Sequence, residues 1–253
     1  MVYQSALLFH APVGRLDFAQ MKSVACISLI LAALTTAAAE SNSVPLPKSP
    51  AARDPSLTPV KDVPGLPRVL LIGDSISMGY TVPVRKLLEG KANVHRIMEN
   101  GGPTTNGLAK LNLWLGDSKW DVIHFNFGLH DLKLITAGRR RITVPEYERN
   151  LEEIVTRLKA TEAKLIWATT TPVPGPASKL ARITEDVLLY NAAAQRVMQK
   201  NHVPIDDLYT FALPRLAEIQ RSENVHYTDA GYEVLAKQVA ASIEAELPAQ
   251  RRK

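Results

Sequence analysis

Beyond Pro67 the chain alternates short, almost wholly apolar runs with longer amphipathic segments, and this alternation restricts the possible folds more than any other feature. The apolar runs cover residues 69–72, 92–97, 122–127, 165–169 and, more weakly, 205–208. They lack a strict in-and-out pattern, which suits strands buried on both faces of a parallel sheet. Between them, Thr143-Val144-Pro145-Glu146 has capping-box spacing with proline near the helix start. Leu151, Ile154, Val155 and Leu158 then share one face, which predicts a helix over about residues 145–160. Further packing helices are expected over 184–200 and from a Thr228 cap through Leu235, Val239 and Ile243. No internal repeat is evident. The expected fold is α/β: a three-layer α/β/α sandwich around a mostly parallel, five-stranded sheet.

Composition narrows the class. With 253 residues, 46% apolar and 22% charged, the chain has ordinary globular usage, which excludes a disordered chain, a collagen and a polytopic membrane protein. The length allows one domain with a sizeable core; two would be cramped. The net charge of +5 is spread along the chain, and only Arg139-Arg140-Arg141 and Arg251-Arg252-Lys253 cluster, so no nucleic-acid partner is expected. A single cysteine, Cys26, rules out a disulfide framework within the chain and any cysteine-based zinc cluster.

The first part of the chain reads as targeting sequence. Met21-Lys22, an apolar run over 24–34 and the small tract Ala37-Ala38-Ala39 resemble a secretory signal peptide cleaved after Ala39, with translation expected to start at Met21. The uncharged stretch 23–39 is at the short limit for a membrane span and no basic cluster follows it. The mature protein is therefore expected to be secreted or periplasmic, without stable membrane anchoring. Prolines 45, 47, 50, 55, 59, 64 and 67 then make residues 40–67 read as an extended, disordered linker. The expected organisation is an extension and signal peptide over 1–39, the linker over 40–67, and one catalytic domain over 68–250.

Chemistry in an open parallel sheet gathers at the carboxyl ends of the strands. Gly73-Asp74-Ser75-Ile76-Ser77 follows the first run, the glycine-bounded loop 100–107 the second, and Gly128-Leu129-His130-Asp131 the third, while Glu223-Asn224-Val225-His226 precedes the last helix. A serine hydroxyl becomes a nucleophile when an imidazole takes its proton and an acceptor fixes that imidazole's tautomer. Ser75, His226 and Glu223 are the candidates for those three roles. Glycine-rich loops supply uncrowded backbone N–H groups for the oxyanion that then forms. His124 and His95 are expected to be satisfied core or edge histidines.

These four segments, in this order, resemble the sequence blocks of the SGNH, or GDSL, hydrolase superfamily of serine esterases, over about residues 68–245. The resemblance implies the three-layer fold (flavodoxin-like), an acyl-enzyme mechanism, and no metal or organic cofactor. It implies Ser75 as nucleophile, His226 as base, Glu223 as orienting acid, and an oxyanion hole from the N–H groups of Ser75 and Gly102 or Gly101. His130 stands where the family usually has a donating asparagine, and Glu223 where aspartate is usual. An imidazole N–H can also donate. Asp74, Asn126 and Thr171 lie by the expected cleft and are candidate substrate contacts, although Asp74 also suits a turn-shaping role. Export and the lack of a large apolar lid point to removal of small acyl groups from saccharides, so the expected partner is a small-molecule or glycan ester. A non-catalytic glycan-binding protein of the same fold is the alternative. A metallophosphoesterase would need more histidine and aspartate ligands than the motifs offer.

Overall fold

The computed structural model describes residues 54–136, 138–175 and 181–248. The expected signal peptide and extension (1–39), the first half of the proline-rich stretch and residues 249–250 lie outside the described residues. In chain order the elements are β1 (Arg68–Ile72), α1 (Ser75–Leu87), β2 (Asn93–Arg96), α2 (Thr104–Leu115), β3 (Val122–Phe125), β4 (Leu134–Thr136) and β5 (Arg139–Arg140). There follow α3 (Val144–Lys159), β6 (Lys164–Ala168), α4 (Thr184–Asn201), β7 (Ile205–Asp206), α5 (Leu208–Ala212), α6 (Leu216–Ile219) and α7 (Asp229–Glu246). The five expected strands are all present, each extended, trimmed or shifted by one or two residues at its ends.

They form one sheet in the order β2-β1-β3-β6-β7, with every neighbouring pair parallel. Val69, Leu71, Ile123 and Ile166 are completely buried, as strands covered on both faces must be. The chain first steps from β1 to β2 and then returns past β1 to β3. Right-handed crossovers therefore send α1 to one face and α2, α3 and α4 to the other. α7 packs against α1, and α3 packs against both α2 and α4. The reversal leaves a crevice at the carboxyl ends of β1 and β3, the topological switch point where such sheets bind ligands. β4 and β5 form a small antiparallel pair that the sequence pattern did not reveal, because it is short and lies largely at the surface.

The last part of the expected linker is not a free tether. A short 3-10 turn at Pro55–Leu57 is capped by Asp54, and Arg85 of α1 donates to the Pro55 carbonyl at 3.2 Å. Asp62 is paired with Arg68 at 2.9 Å and His95 at 2.5 Å. The Asn93 side chain accepts from the Val63 N–H and donates to the carbonyls of Val63 and Leu66. Residues 62–66 are thus fastened to side chains of β2, the edge strand of the sheet.

Candidate active site

Ser75 is the first residue of α1, just past β1, and therefore stands at the switch point. The turn that presents it is held from two sides. Asp74 caps the helix, its carboxylate accepting from the Ile76 N–H at 2.9 Å. From below, the Arg96 guanidinium donates to the carbonyls of Gly73 (3.1 Å) and Asp74 (3.2 Å) and to Ser77 Oγ (2.6 Å). Burial pushes the Arg96 pKa down to about 10, so it remains a cation at neutral pH. A buried cation is costly unless its hydrogens are all used. Here they fix the two residues that precede the nucleophile. Sequence reasoning missed Arg96, although a charged side chain inside a strand buried on both faces is a recognisable mark.

His226 faces Ser75. Its Nε2 lies 2.9 Å from Ser75 Oγ and its Nδ1 lies 2.8 Å from Asn224 Oδ1. Asn224 Oδ1 also accepts the His226 backbone N–H at 3.0 Å, so that atom is the acceptor oxygen of the amide. Nδ1 must then carry the ring hydrogen, which leaves the Nε2 lone pair towards the serine hydroxyl. This corrects the expectation for Glu223. That residue adopts a left-handed backbone (φ 49°) with an exposed side chain, and the turn it makes places Asn224 beneath the imidazole instead. The amide orients the ring and fixes its tautomer as a carboxylate would, but offers no counter-charge to the imidazolium. Burial holds the His226 pKa below its ordinary value, with Asp74 opposing and Arg221 and Arg182 adding to the shift. The ring is a neutral base at pH 7.

The oxyanion donors differ from expectation too. The Ser75 N–H is at the first helical position, where no intrahelical acceptor exists. The Gly101 N–H, however, donates to the Gly73 carbonyl at 2.9 Å, and the Gly102 N–H to Asn100 Oδ1 at 2.9 Å. Gly101 is thereby a tie between the loops after β1 and β2. Gly102 has a left-handed backbone, at φ 64°. His130 is half-buried near the same loops, and no hydrogen bond among the described residues fixes its ring. Burial lowers its pKa, opposed by the Asp74 carboxylate and reinforced by Arg182, Arg141 and Lys133. Beside it, buried Asp131 accepts from Thr104 N–H (2.9 Å) and Thr104 Oγ1 (2.6 Å), joining the loop after β3 to the start of α2. Burial raises the Asp131 pKa to about 7 against the lowering effect of those bonds.

The expected substrate contacts are corrected as well. Asp74, Asn126 and Thr171 surround a void of ≈ 10 Å³ behind the nucleophile, about enough for one water. Asn126 donates to the Ala168 carbonyl at 2.7 Å, and Asp74 is the helix cap already described. Asn126 thereby ties the ends of β3 and β6 together, and Thr171 is buried. The space large enough for a substrate, ≈ 610 Å³, lies on the outer side of Ser75 against α1 and the first turns of α7. Among the described residues no cluster of three or more His, Cys, Asp or Glu side chains could hold a metal ion.

Residues 71–234 match the model of the GDSL-like lipase/acylhydrolase family. No curated protein sequence matches the chain. Among solved structures, a lipase/acylhydrolase from Enterococcus faecalis is similar with a TM-score of 0.63 at 23% identity, covering 74% of this chain and all of that one. The acetyl xylan esterase AlAXEase (TM-score 0.60, 16% identity) covers 70% of this chain and 99% of its own length. The acetylxylan esterase Axe2 from Geobacillus stearothermophilus (TM-score 0.59, 19% identity) covers 70% and 94%. At these identities the structural likeness speaks for the α/β fold alone. The family match spans more than half of the chain, and with it the chain belongs to the GDSL-like lipase/acylhydrolase family, as a serine esterase.

Proposed function

We propose that this esterase is exported and removes small acyl groups, acetyl above all, from saccharides through an acyl-enzyme intermediate. The observation that carries the reading is the relay Ser75 Oγ to His226 Nε2 to Asn224 Oδ1, at 2.9 and 2.8 Å. Ser75 attacks the ester carbonyl while His226 takes its proton. The Ser75 N–H and the His130 ring stabilise the oxyanion, joined by the Gly102 N–H when it exchanges Asn100 Oδ1 for the oxyanion. His226 then gives its proton to the departing alcohol, and water, activated by the same imidazole, frees the acid. The acetylxylan esterases among the structural neighbours support a small acyl group on a sugar, and the leader-like segment 21–39 supports export.

The decisive experiment is labelling with a fluorophosphonate probe, followed by an acetate-release screen over acetylated glycans, with Ser75→Ala beside the wild type. Labelling and acetate release by the wild type alone are expected. The engaged N–H groups of Gly101 and Gly102 favour one other reading, a glycan-binding protein without turnover. Glycan binding without labelling would establish it. Much faster hydrolysis of p-nitrophenyl octanoate than of the acetate would overturn the small-acyl assignment.

A further inference from the structure

The ≈ 610 Å³ space beside the nucleophile is a groove rather than a pit, and its direction follows from α1. Ser75, Met78, Gly79, Val82 and Pro83 line it at spacings of three, four, seven and eight residues, which is one face of a helix. The groove therefore starts at the nucleophile and runs about two turns along α1. Its depth depends on Gly79, where a Cβ would stand 2.2 Å from the Tyr232 ring, so only glycine lets α7 approach this closely. One wall is the first two turns of α7, with Asp229, Tyr232 and Glu233. The other is the turn Asp54–Ser56, held against α1 by Arg85.

The lining is rich in hydrogen-bond acceptors over an apolar floor. Three acidic residues, Asp54, Asp229 and Glu233, line a space floored by Met78, Val82 and the Tyr232 ring; Asp54 Oδ1 also accepts from the Ser56 N–H at 2.8 Å, and Asp229 lies 3.8 Å from Arg221. Pro83 has no N–H, so the Gly79 carbonyl four residues back loses its α-helical donor, and both residues line the groove. Ser56, 1% exposed, lines it too, and its Oγ has no partner. Apolar and aromatic surface with convergent acceptors suits a ligand that has an apolar face and many O–H donors. Three carboxylates disfavour an anionic one.

The side of the nucleophile is also informative. The departing alcohol must lie within reach of His226 Nε2, and the α7 wall begins three residues after His226 in the chain. Resting on the esterase reading above, we infer that this groove binds the alcohol part of the ester as an uncharged saccharide chain. The acyl group then stays at the strand ends.

Two surface substitutions test this: Val82→Trp, which fills the groove, and Glu233→Lys, which reverses charge on its rim. kcat/KM would be compared for p-nitrophenyl acetate, acetylated neutral oligosaccharides and acetylated uronic-acid oligosaccharides. Val82→Trp is expected to reduce kcat/KM on the neutral oligosaccharide at least tenfold more than on p-nitrophenyl acetate, mainly through KM. Glu233→Lys is expected to shrink the preference for neutral over uronic-acid oligosaccharides by a similar factor. Unchanged ratios in both variants overturn the inference. So does a loss in Val82→Trp confined to long-acyl p-nitrophenyl esters, which would make the groove an acyl site. A wild type that neither labels nor hydrolyses any ester defeats the esterase reading separately. Calorimetric titration with the neutral oligosaccharide then decides the groove, which stands only if both substitutions weaken that binding.

Discussion

At the scale of single residues, the imidazole of His226, the proposed base, is oriented by a neutral amide. Asn224 Oδ1 takes the Nδ1 hydrogen of His226, and the backbone N–H bond to the same oxygen keeps the amide from turning over. Asn224→Ala is expected to lower kcat by about 10²- to 10⁴-fold through loss of the productive tautomer. Glu223→Gln is expected to change it less than threefold, which separates the two candidates in one steady-state comparison. Asn224→Asp adds the missing counter-charge and should raise the His226 pKa. Activity requires the neutral imidazole, so the acid limb of the pH profile lies below the ordinary histidine value in the wild type and moves to higher pH in Asn224→Asp. Ser75 and His226 were legible in the sequence because nucleophile and base each sit in a short motif. The orienting group was not, since its identity depends on the left-handed backbone at Glu223, which spacing cannot reveal. The bonding state of the loop glycines was hidden for a related reason. Their positions were visible, but the acceptors of their N–H groups, Gly73 O and Asn100 Oδ1, exist only once the loops are folded together.

At the scale of elements, strands and major helices were readable because burial on both sheet faces and the 3.6-residue period leave direct traces in composition. Thr228 does cap α7, its Oγ1 accepting from the Gly231 N–H at 3.0 Å, whereas Thr143 precedes α3 without making a side-chain cap bond. The proline-rich stretch was misread from Asp54 onward. Its order comes from long-range partners, Asp62 with Arg68 and His95 and Val63 with Asn93, which local composition does not contain. Each exposed pair contributes little alone. Their joint effect is to fasten residues 62–66 to the edge strand β2. Removing all residues ahead of Leu66 is therefore expected to lower the melting temperature by several degrees and, with nothing fastened to that edge strand, to promote self-association through it. Thermal melts with sedimentation would check this; a truncated protein that melts with the full-length chain and stays equally dispersed contradicts it.

Across the whole molecule, two helices on one face of the sheet and the loop that follows β3 meet at one buried carboxyl group. Asp131 accepts from Thr104 at the head of α2, and Thr104 Oγ1 in turn accepts from Asn150 of α3 at 3.0 Å. Its folded pKa of about 7 lies above the ordinary 3.8 because of burial. The stability associated with its protonated form is complete below about pH 4 and is lost as pH rises through 7. Asp131→Asn keeps the acceptor oxygen and removes the titration. Denaturant unfolding should then show the variant gaining on the wild type between pH 5 and pH 8, by on the order of a few kcal/mol at most. A constant difference across that range would show that the group does not change its protonation there.

The fastening of residues 62–66 to β2 has a practical meaning for anyone handling this protein. Arg96, which holds the carbonyls just ahead of Ser75, is the last residue of the same strand that His95 and Asn93 fasten to residues 62–66. A purification tag or fusion partner joined directly at residue 66 would replace the clasp on that strand, and the disturbance would have only β2 and the Arg96 side chain to cross before reaching the turn at Ser75. Expression vectors should keep the native residues from Asp54 onward ahead of β1, or attach the added sequence after α7.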